Sequence, residues 1–371
     1  MAVFGAFGAG FLARPFGSIF FGHLGDKIGR HYAMNIAIIL MAIPTIAMAF
    51  LPDYNTIGIY APILLILIRV FQGISAGGQF GNLMTLTAED KTLKYRGFSL
   101  SVAYSTAVIG FLLASGISYL VLTLTPASWE YFIWRVPFAL GFILLIGHLF
   151  LKQDDKAPIN TVPRDKTPIQ LLLKHYTKHL FLIIVLSSTA MVLYYLDVVY
   201  MVTYMETELG LTLSQALAIN TISIIFMCLT MPVFGFLSDI IGRKKFHIFA
   251  YLILLITAIP LVLLMQNPFI YVVAANVILM AIITALIQAA STPYYTEIFS
   301  PQVRATGCSI GFGFGASISG FAPLLATYIM GITSATLGLC ILMVTTGVIG
   351  LVIAIIIPNQ QVEVRRINSF N

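Results

Sequence analysis

Charged side chains are scarce in this sequence. Asp, Glu, Lys and Arg make up only 9% of the 371 residues, whereas hydrophobic residues make up 59%. Because soluble proteins are about one quarter charged, this composition excludes an ordinary soluble domain. It indicates a membrane protein.

Cysteine is almost as scarce, with Cys228, Cys308 and Cys340 all lying in apolar runs. This placement predicts small buried side chains rather than disulfides. The sequence has no Cys/His pair with zinc spacing, no P-loop glycine pattern, no histidine cluster and no pair of catalytic carboxylates. We therefore expect no metal, no cofactor and no enzymatic activity.

Long apolar runs fill most of the chain. A transmembrane helix needs about 20 apolar residues, whereas a porin strand needs about 10 with alternating polarity. The runs therefore predict an all-α polytopic membrane protein with about 11 transmembrane helices. The predicted spans are residues 2–21, 32–51, 59–84, 98–124, 134–151, 180–205, 214–236, 246–265, 268–292, 307–331 and 336–357.

Basic residues are distributed unevenly between the two ends of these spans. Of the 20 Lys and Arg residues, 17 lie in alternate connections or in the tail, and opposite connections such as 52–58 carry none. The positive-inside rule places the basic connections and the C-terminus in the cytoplasm. The cations therefore predict orientation in a bilayer, and they do not indicate binding to nucleic acid.

A glycine-rich charged turn occurs twice. "FGHLGDKIGRH" covers Phe21–His31 and "FGFLSDIIGRKK" covers Phe234–Lys245, so that Asp26 and Asp239 lie 213 residues apart. Plain orientation signals would account for the Lys and Arg residues of these turns but not for the repeated Asp and Gly.

A second motif repeats in the same order along the chain. Glu89 precedes Arg96 by seven residues, and Glu297 precedes Arg304 by seven residues. Two ordered repeats predict two related halves, as in many transporters. We expect a first half at 1–151 with five helices, a cytoplasmic loop at 152–179, a second half at 180–357 with six helices, and a cytoplasmic tail at 358–371.

These motifs carry a family resemblance. "GHLGDKIGR" and "GFLSDIIGRKK" resemble the loop motif of the major facilitator superfamily, and "RVFQGISAGGQFG" resembles its fourth helix. Together with "FLARPFG" and "WRVPF", they are similar to the metabolite:proton symporters, which include proline/betaine, α-ketoglutarate, citrate and shikimate carriers. The resemblance implies a secondary active transporter of a small carboxylate-bearing metabolite or osmolyte, coupled to protons, in a bacterial inner membrane.

The resemblance also assigns the helices. The first predicted span matches the second helix of the family, which implies a two-half bundle of 12 helices with the first one missing. A truncated relative that does not transport, or that acts as a membrane sensor, is the alternative.

In the family, the Asp of each charged turn faces the N-terminus of a helix in the other half, where the helix dipole is positive. The resemblance therefore implies contacts of Asp26 with the helix near Gly307 and of Asp239 with the helix near Phe98. The residues expected to form and support these two cytoplasmic gates are Asp26, Arg30, Glu89, Arg96, Asp239, Arg243, Glu297 and Arg304.

Ionisable residues inside spans are candidates for function because they are costly in a membrane. Arg14 and Arg69 are candidates for gripping a carboxylate with two hydrogen bonds, although each could instead bond backbone carbonyls. Residues 69, 72, 73, 76, 79 and 80 are spaced to share one helical face, which we expect to line a cavity. The expected substrate-binding residues are Arg14, Arg69, Gln72, Gln79, Tyr195, Gln288 and Tyr294.

Asp197 is the candidate for proton coupling. It lies in the middle of a predicted span in "MVLYYLDVVYMVTYM", where a carboxyl group resists ionisation. A permanently hydrogen-bonded Asp is the alternative, for example with one of the nearby tyrosines. These tyrosines could also form a cation–π surface for a quaternary ammonium group. Relatives usually carry Glu where this chain has Gln79, so that either Asp197 takes over the coupling role or the coupling is altered.

Overall fold

The computed structural model describes residues 2–90, 92–124, 135–150 and 167–358. These residues contain long helices and no strand, which confirms the predicted all-α class. Each predicted span coincides with a helix. Apart from a single turn at Tyr54–Ile57, the helices are α1 Ala2–Lys27, α2 Arg30–Ala49, α3 Tyr60–Glu89, α4 Arg96–Leu124, α5 Val136–Phe150, α6 Pro168–His175, α7 Thr177–Thr207, α8 Leu213–Ile241, α9 Arg243–Leu264, α10 Phe269–Glu297, α11 Arg304–Ser319, α12 Ala322–Ile332 and α13 Ala335–Ile356.

Most helices extend past their predicted spans. For example, α1 continues from residue 21 to Lys27, and α3 continues from residue 84 to Glu89. The added turns carry polar residues, which hydropathy excludes from a span. Nine helices of the described residues are long and apolar enough to cross a membrane, with α11 and α12 counted together. For α1 and α5 the assignment rests on the predicted spans alone.

Helix α6 lies in the segment that we expected to be the loop at 152–179. Thr167 caps it, because its hydroxyl accepts from the Gln170 N–H while the Gln170 side chain accepts from the Thr167 N–H. The side chain of Leu172 is fully buried, and the helix contacts both α1 and α11. Residues 151–166 and the tail from residue 359 lie outside the described residues.

Two helix pairs form the most extensive contacts between helices α1–α5, which we call the first half, and helices α7–α13, which we call the second half. Helix α1 packs against α11, and α4 packs against α8. Gly97 of α4 meets Gly235 of α8 so closely that a β-carbon on Gly97 would lie 2.5 Å from the carbonyl oxygen of Gly235. Small residues allow this backbone approach, as in other membrane helix pairs.

The repeated charged turns have the same backbone shape. Gly29 ends the first turn with φ 138°, and Gly242 ends the second with φ 93°. Residues with a β-carbon rarely adopt positive φ. The sharp reversal from α1 into α2, and from α8 into α9, therefore explains why the repeat keeps this glycine.

Replacing Gly97 with alanine should loosen the contact between the halves. We expect Gly97→Ala to lower the stability by about 1–3 kcal/mol, because a methyl group there overpacks a backbone contact. The measurement is the thermal unfolding midpoint of the purified protein in detergent. Gly110→Ala on the same helix is the matched control, because nothing lies within 4 Å of a β-carbon at that position. Equal midpoints for the two variants would contradict the close packing of α4 on α8.

Candidate functional site

Asp26 forms the centre of one contact between the halves. Its carboxylate accepts hydrogen bonds from the N–H of Ala305 (3.1 Å) and from the N–H (2.8 Å) and hydroxyl (2.6 Å) of Thr306. These groups belong to the first turn of α11, where unpaired N–H groups favour an anion. The structure therefore has the contact that the sequence predicts for Asp26.

Arg30 extends this contact. Its guanidinium pairs with Asp26 at 2.9 Å and with Glu89 at 3.1 Å, and it donates to the carbonyl of Pro301 at 2.8 Å. Arg304 approaches Glu89 at 3.4 Å from the other half. We call Asp26, Arg30, Glu89 and Arg304 the first latch, and the end of the bundle where it lies the basic end.

Asp239 of α8 forms the corresponding contact with the start of α4. Its carboxylate accepts from the N–H of Gly97 (2.9 Å) and of Phe98 (3.1 Å) in the first turn of α4. Arg243 pairs with Asp239 at 2.5 Å and with Glu297 at 2.9 Å. We call Asp239, Arg243 and Glu297 the second latch.

The two latches differ in one expected member. Arg304 joins the first latch, but its counterpart Arg96 is exposed and has no ion pair with any residue that the structure describes. The expectation that Arg96 supports a gate is therefore not met in this conformation. Arg96 is the first residue of α4. The carboxylate of Asp239 accepts from the backbone N–H groups of the next two residues and not from the Arg96 side chain.

Arg14 connects the halves deeper in the bundle. Its guanidinium donates to the hydroxyl of Tyr195 at 3.0 Å, and its central carbon lies 4.0 Å from the ring centre of Phe11. Phe11 in turn meets the Tyr195 ring edge to face at 5.0 Å. A half-buried guanidinium with two aromatic walls can bind a carboxylate and can place an apolar or cationic group against a ring.

Aromatic side chains also close the interface between the halves. Phe80 of α3 stacks on Phe312 of α11, with ring centres 3.7 Å apart. Tyr104 of α4 meets Phe80 edge to face at 5.3 Å and Tyr194 of α7 at 6.3 Å. These rings thus connect helices of the two halves.

The expected polar face of α3 is divided in the structure. Arg69 bonds Gln72 at 3.2 Å, but Gln72 then donates to Thr45 of α2 at 3.2 Å. Gln79 likewise turns to α2, where it donates to the carbonyl of Ala37 at 3.3 Å. The expectation of a single cavity-lining face is therefore wrong, because residues at this spacing cover about one third of the helix circumference and contact two different neighbours.

Asp197 is completely buried and accepts a hydrogen bond from the Thr284 hydroxyl. The pair lies where both helices widen into π-helical turns, at Leu196–Tyr200 in α7 and Leu279–Thr284 in α10. Its second oxygen, Oδ1, has no hydrogen-bond partner among the described residues. The hydrogen-bond partner of Asp197 is thus the Thr284 hydroxyl and not a tyrosine. The hydroxyl of Tyr195 accepts from Arg14 instead.

The expected cavity residues of α10 point in different directions. Gln288 donates to the carbonyl of Ala190 at 3.1 Å. Tyr294 packs edge to face on His247 of α9, at 5.7 Å. The neighbouring Tyr295 is the tyrosine that approaches the interface, with its ring centre 6.5 Å from that of Phe312.

Sequence reasoning missed several of these contacts. Phe11, Tyr104 and Phe312 are aromatic residues in apolar spans, and nothing in their sequence context separates them from lipid-facing ones. Thr284 and His247 are polar residues inside spans, which is a usable signal.

Comparisons with known proteins agree with the fold. The model of the Major Facilitator Superfamily matches residues 2–228 and 198–370. The shikimate transporter of Escherichia coli K12 is 29% identical over 341 residues, which is 88% of this chain and 77% of that protein. The proline/betaine transporter of the same strain is 29% identical over 348 residues, which is 89% of this chain and 69% of that protein.

A solved structure shows the same fold. The crystal structure of a D-xylose-proton symporter superposes with a TM-score of 0.71 at 18% identity, covering 96% of this chain and 87% of that one. The chain belongs to the Major Facilitator Superfamily, and it is a secondary active transporter rather than an enzyme.

Proposed function

We propose that this chain couples the transport of a small carboxylate-bearing solute to the movement of protons. Relatives at 29% identity are named as carriers of shikimate and of proline and betaine. These solutes all carry one carboxylate. Arg14 of the first half donates to Tyr195 of the second half. A guanidinium at this interface supports a site for a carboxylate.

The proposed substrate site is centred on Arg14, Phe11 and Tyr195. A substrate carboxylate would replace the Tyr195 hydroxyl as the partner of Arg14, and thereby loosen a bond between the halves. The faces of Phe11 and Tyr195 suit the ammonium group of proline or betaine. Arg69, held by Gln72, offers a second cation, which would suit a dicarboxylate or tricarboxylate instead.

Asp197 is the proposed proton carrier, and it is the observation on which proton coupling depends. It is fully buried and has one threonine hydrogen bond. No salt bridge to it occurs among the described residues. An ionised carboxylate there would be a buried, unpaired charge, which costs several kcal/mol. Protonation removes that charge, so the position favours a group that gains and loses a proton as water access changes.

The two latches are proposed as the gates of alternating access. Both bind across the halves at the basic end, so this conformation is closed there. We place the basic end, the loop at 152–179 and the tail in the cytoplasm of a bacterial inner membrane, in accord with the distribution of Lys and Arg. The two halves, 1–151 and 180–357, would then rock to open either end.

Uptake in proteoliposomes tests the coupling. Labelled proline, betaine, shikimate, α-ketoglutarate and citrate are compared with and without an inward proton gradient. We expect Asp197→Asn to abolish gradient-driven accumulation but to keep solute exchange, because the amide keeps its hydrogen bond but cannot carry a proton. Glu206→Gln on the exposed end of the same helix is the matched control and should accumulate solute normally.

Accumulation by Asp197→Asn equal to that of the parent would contradict the role of Asp197. If the protein shows no exchange and no uptake of any of the five solutes, this result would favour the alternative, a relative that does not transport.

The latches predict a change in accessibility. In a background with Cys228→Ser and Cys340→Ser, buried Cys308 of α11 reports opening of the basic end to an impermeant maleimide. We expect Asp239→Ala to speed labelling by about tenfold, because two charge-assisted hydrogen bonds of the closed state are lost. The mutated residue contacts α4, so faster labelling on α11 would reflect opening of the whole end.

Asp90→Asn is the control for the latch experiment. It removes a negative charge at the same end, from an exposed turn where Asp90 accepts from Thr92. Labelling as slow in Asp239→Ala as in this control would rule out a gating role for the second latch.

A further inference from the structure

Phe11 of the proposed substrate site rests against the backbone of the second half. Its side chain is buried and lies over Gly320, the residue that directly follows α11. A β-carbon at Gly320 would lie 2.6 Å from the β-carbon of Phe11, and it would also overlap ring atoms Cγ and Cδ1. Atoms in a close-packed interior do not approach to this distance. A residue larger than glycine at position 320 would therefore displace its neighbours.

Space for Phe11, rather than backbone freedom, is the reason why glycine suits this position. The backbone of Gly320 has φ −61° and ψ −17°, which lie in the right-handed helical region that residues with a side chain also adopt. The atoms that would clash belong to the base of the Phe11 side chain. Rotation of the ring therefore cannot remove the whole overlap.

The helices on either side of this contact are held by other contacts. Helix α1 packs on α3, where a β-carbon at Gly10 would lie 3.0 Å from the carbonyl oxygen of Arg69. Helix α11 packs on α7, where the Ser187 hydroxyl donates to the carbonyl of Gly311 at 3.0 Å. An overlap at Gly320 would therefore be relieved by widening the contact between α1 and α11.

The same helices carry the residues of the proposed site. Arg14 lies one turn after Phe11 in α1, with its guanidinium carbon 4.0 Å from the Phe11 ring centre. Its partner Tyr195 belongs to α7, and the Phe11 ring meets the Tyr195 ring at 5.0 Å. Because α11 contacts both α1 and α7, a wider gap between α1 and α11 would move Phe11 and Arg14 away from Tyr195.

We propose that Gly320 is a positioning residue of the substrate site. The absence of a side chain there lets Phe11 seat against α11, and this contact sets the spacing of Arg14 and Tyr195 in which a carboxylate is bound. Gly320 acts through Phe11 and does not itself contact the solute. The inference rests on the proposed function, because that function assigns Arg14 and Tyr195 to the substrate.

Equilibrium binding to the purified protein in detergent, at one pH and without a gradient, tests this role. The probes are the five labelled solutes of the uptake experiment. For each solute that the parent binds, we expect Gly320→Ala to weaken binding at least about tenfold. The reason is that hydrogen bonds from a guanidinium to a carboxylate depend steeply on distance and angle.

A double-mutant cycle shows whether the effect passes through Phe11. Phe11→Gly removes the side chain that the new methyl group would meet. In that background, Gly320→Ala should change binding by less than about twofold. The thermal unfolding midpoint of the same four proteins should show the same rescue, and it remains measurable if Phe11→Gly binds solute too weakly for the comparison.

Two other glycine substitutions are the controls. Gly331→Ala in α12 should change neither quantity, because nothing lies within 4 Å of a β-carbon at that position. Gly350→Ala in α13 overpacks the buried ring of Tyr251 in α9, where a β-carbon would lie 2.5 Å from ring atom Cδ1. It should lower the midpoint and leave binding unchanged, because this contact does not include α1.

Binding by Gly320→Ala equal to that of the parent would overturn the proposal, and so would an undiminished effect of Gly320→Ala in the Phe11→Gly background. Weaker binding by Gly350→Ala, to the same extent as by Gly320→Ala, would show a general effect of overpacking and would also overturn it. A parent that binds none of the five solutes would contradict the proposed function, and the inference that rests on it would fall with it. That outcome is recognised in the parent alone, before any variant is compared.

Discussion

A carboxylate at the end of a helix in one half accepts backbone hydrogen bonds from the first turn of a helix in the other half, and this contact occurs twice. The free N–H groups of a helix start need acceptors, and a buried carboxylate needs donors. Asp26 and Asp239 satisfy both needs at once. In the gating that we propose, separation of the halves at the basic end would leave both partners without this contact.

The glycines of the repeat serve this contact. Gly29 and Gly242 let the chain reverse directly after each Asp, which places Arg30 and Arg243 beside it. Gly97 lets α4 approach α8 until its N–H groups reach Asp239. The turns are conspicuous in the sequence because charged residues buried in a membrane protein need partners.

The sequence is informative where a pattern is repeated, and it is silent where contacts join unrelated positions. The helical class and the partners of Asp26 and Asp239 could be predicted, because each follows from apolar run length or from a duplicated motif with a family resemblance. The bond between Arg14 and Tyr195 could not, because the two residues are 181 positions apart and hydropathy does not fix how a helix is rotated. The same uncertainty explains the error on α3, where Gln72 and Gln79 face α2.

Helix α6 has a consequence for the range of motion of the protein. It touches both α1 and α11, one from each half, and its Leu172 is fully buried. In the alternating access that we propose, separation of α1 from α11 at the basic end would break the contact of α6 with at least one of them, and exposure of one leucine side chain would cost up to about 2 kcal/mol. The segment between the halves would then favour the closed form as well as connect the two halves.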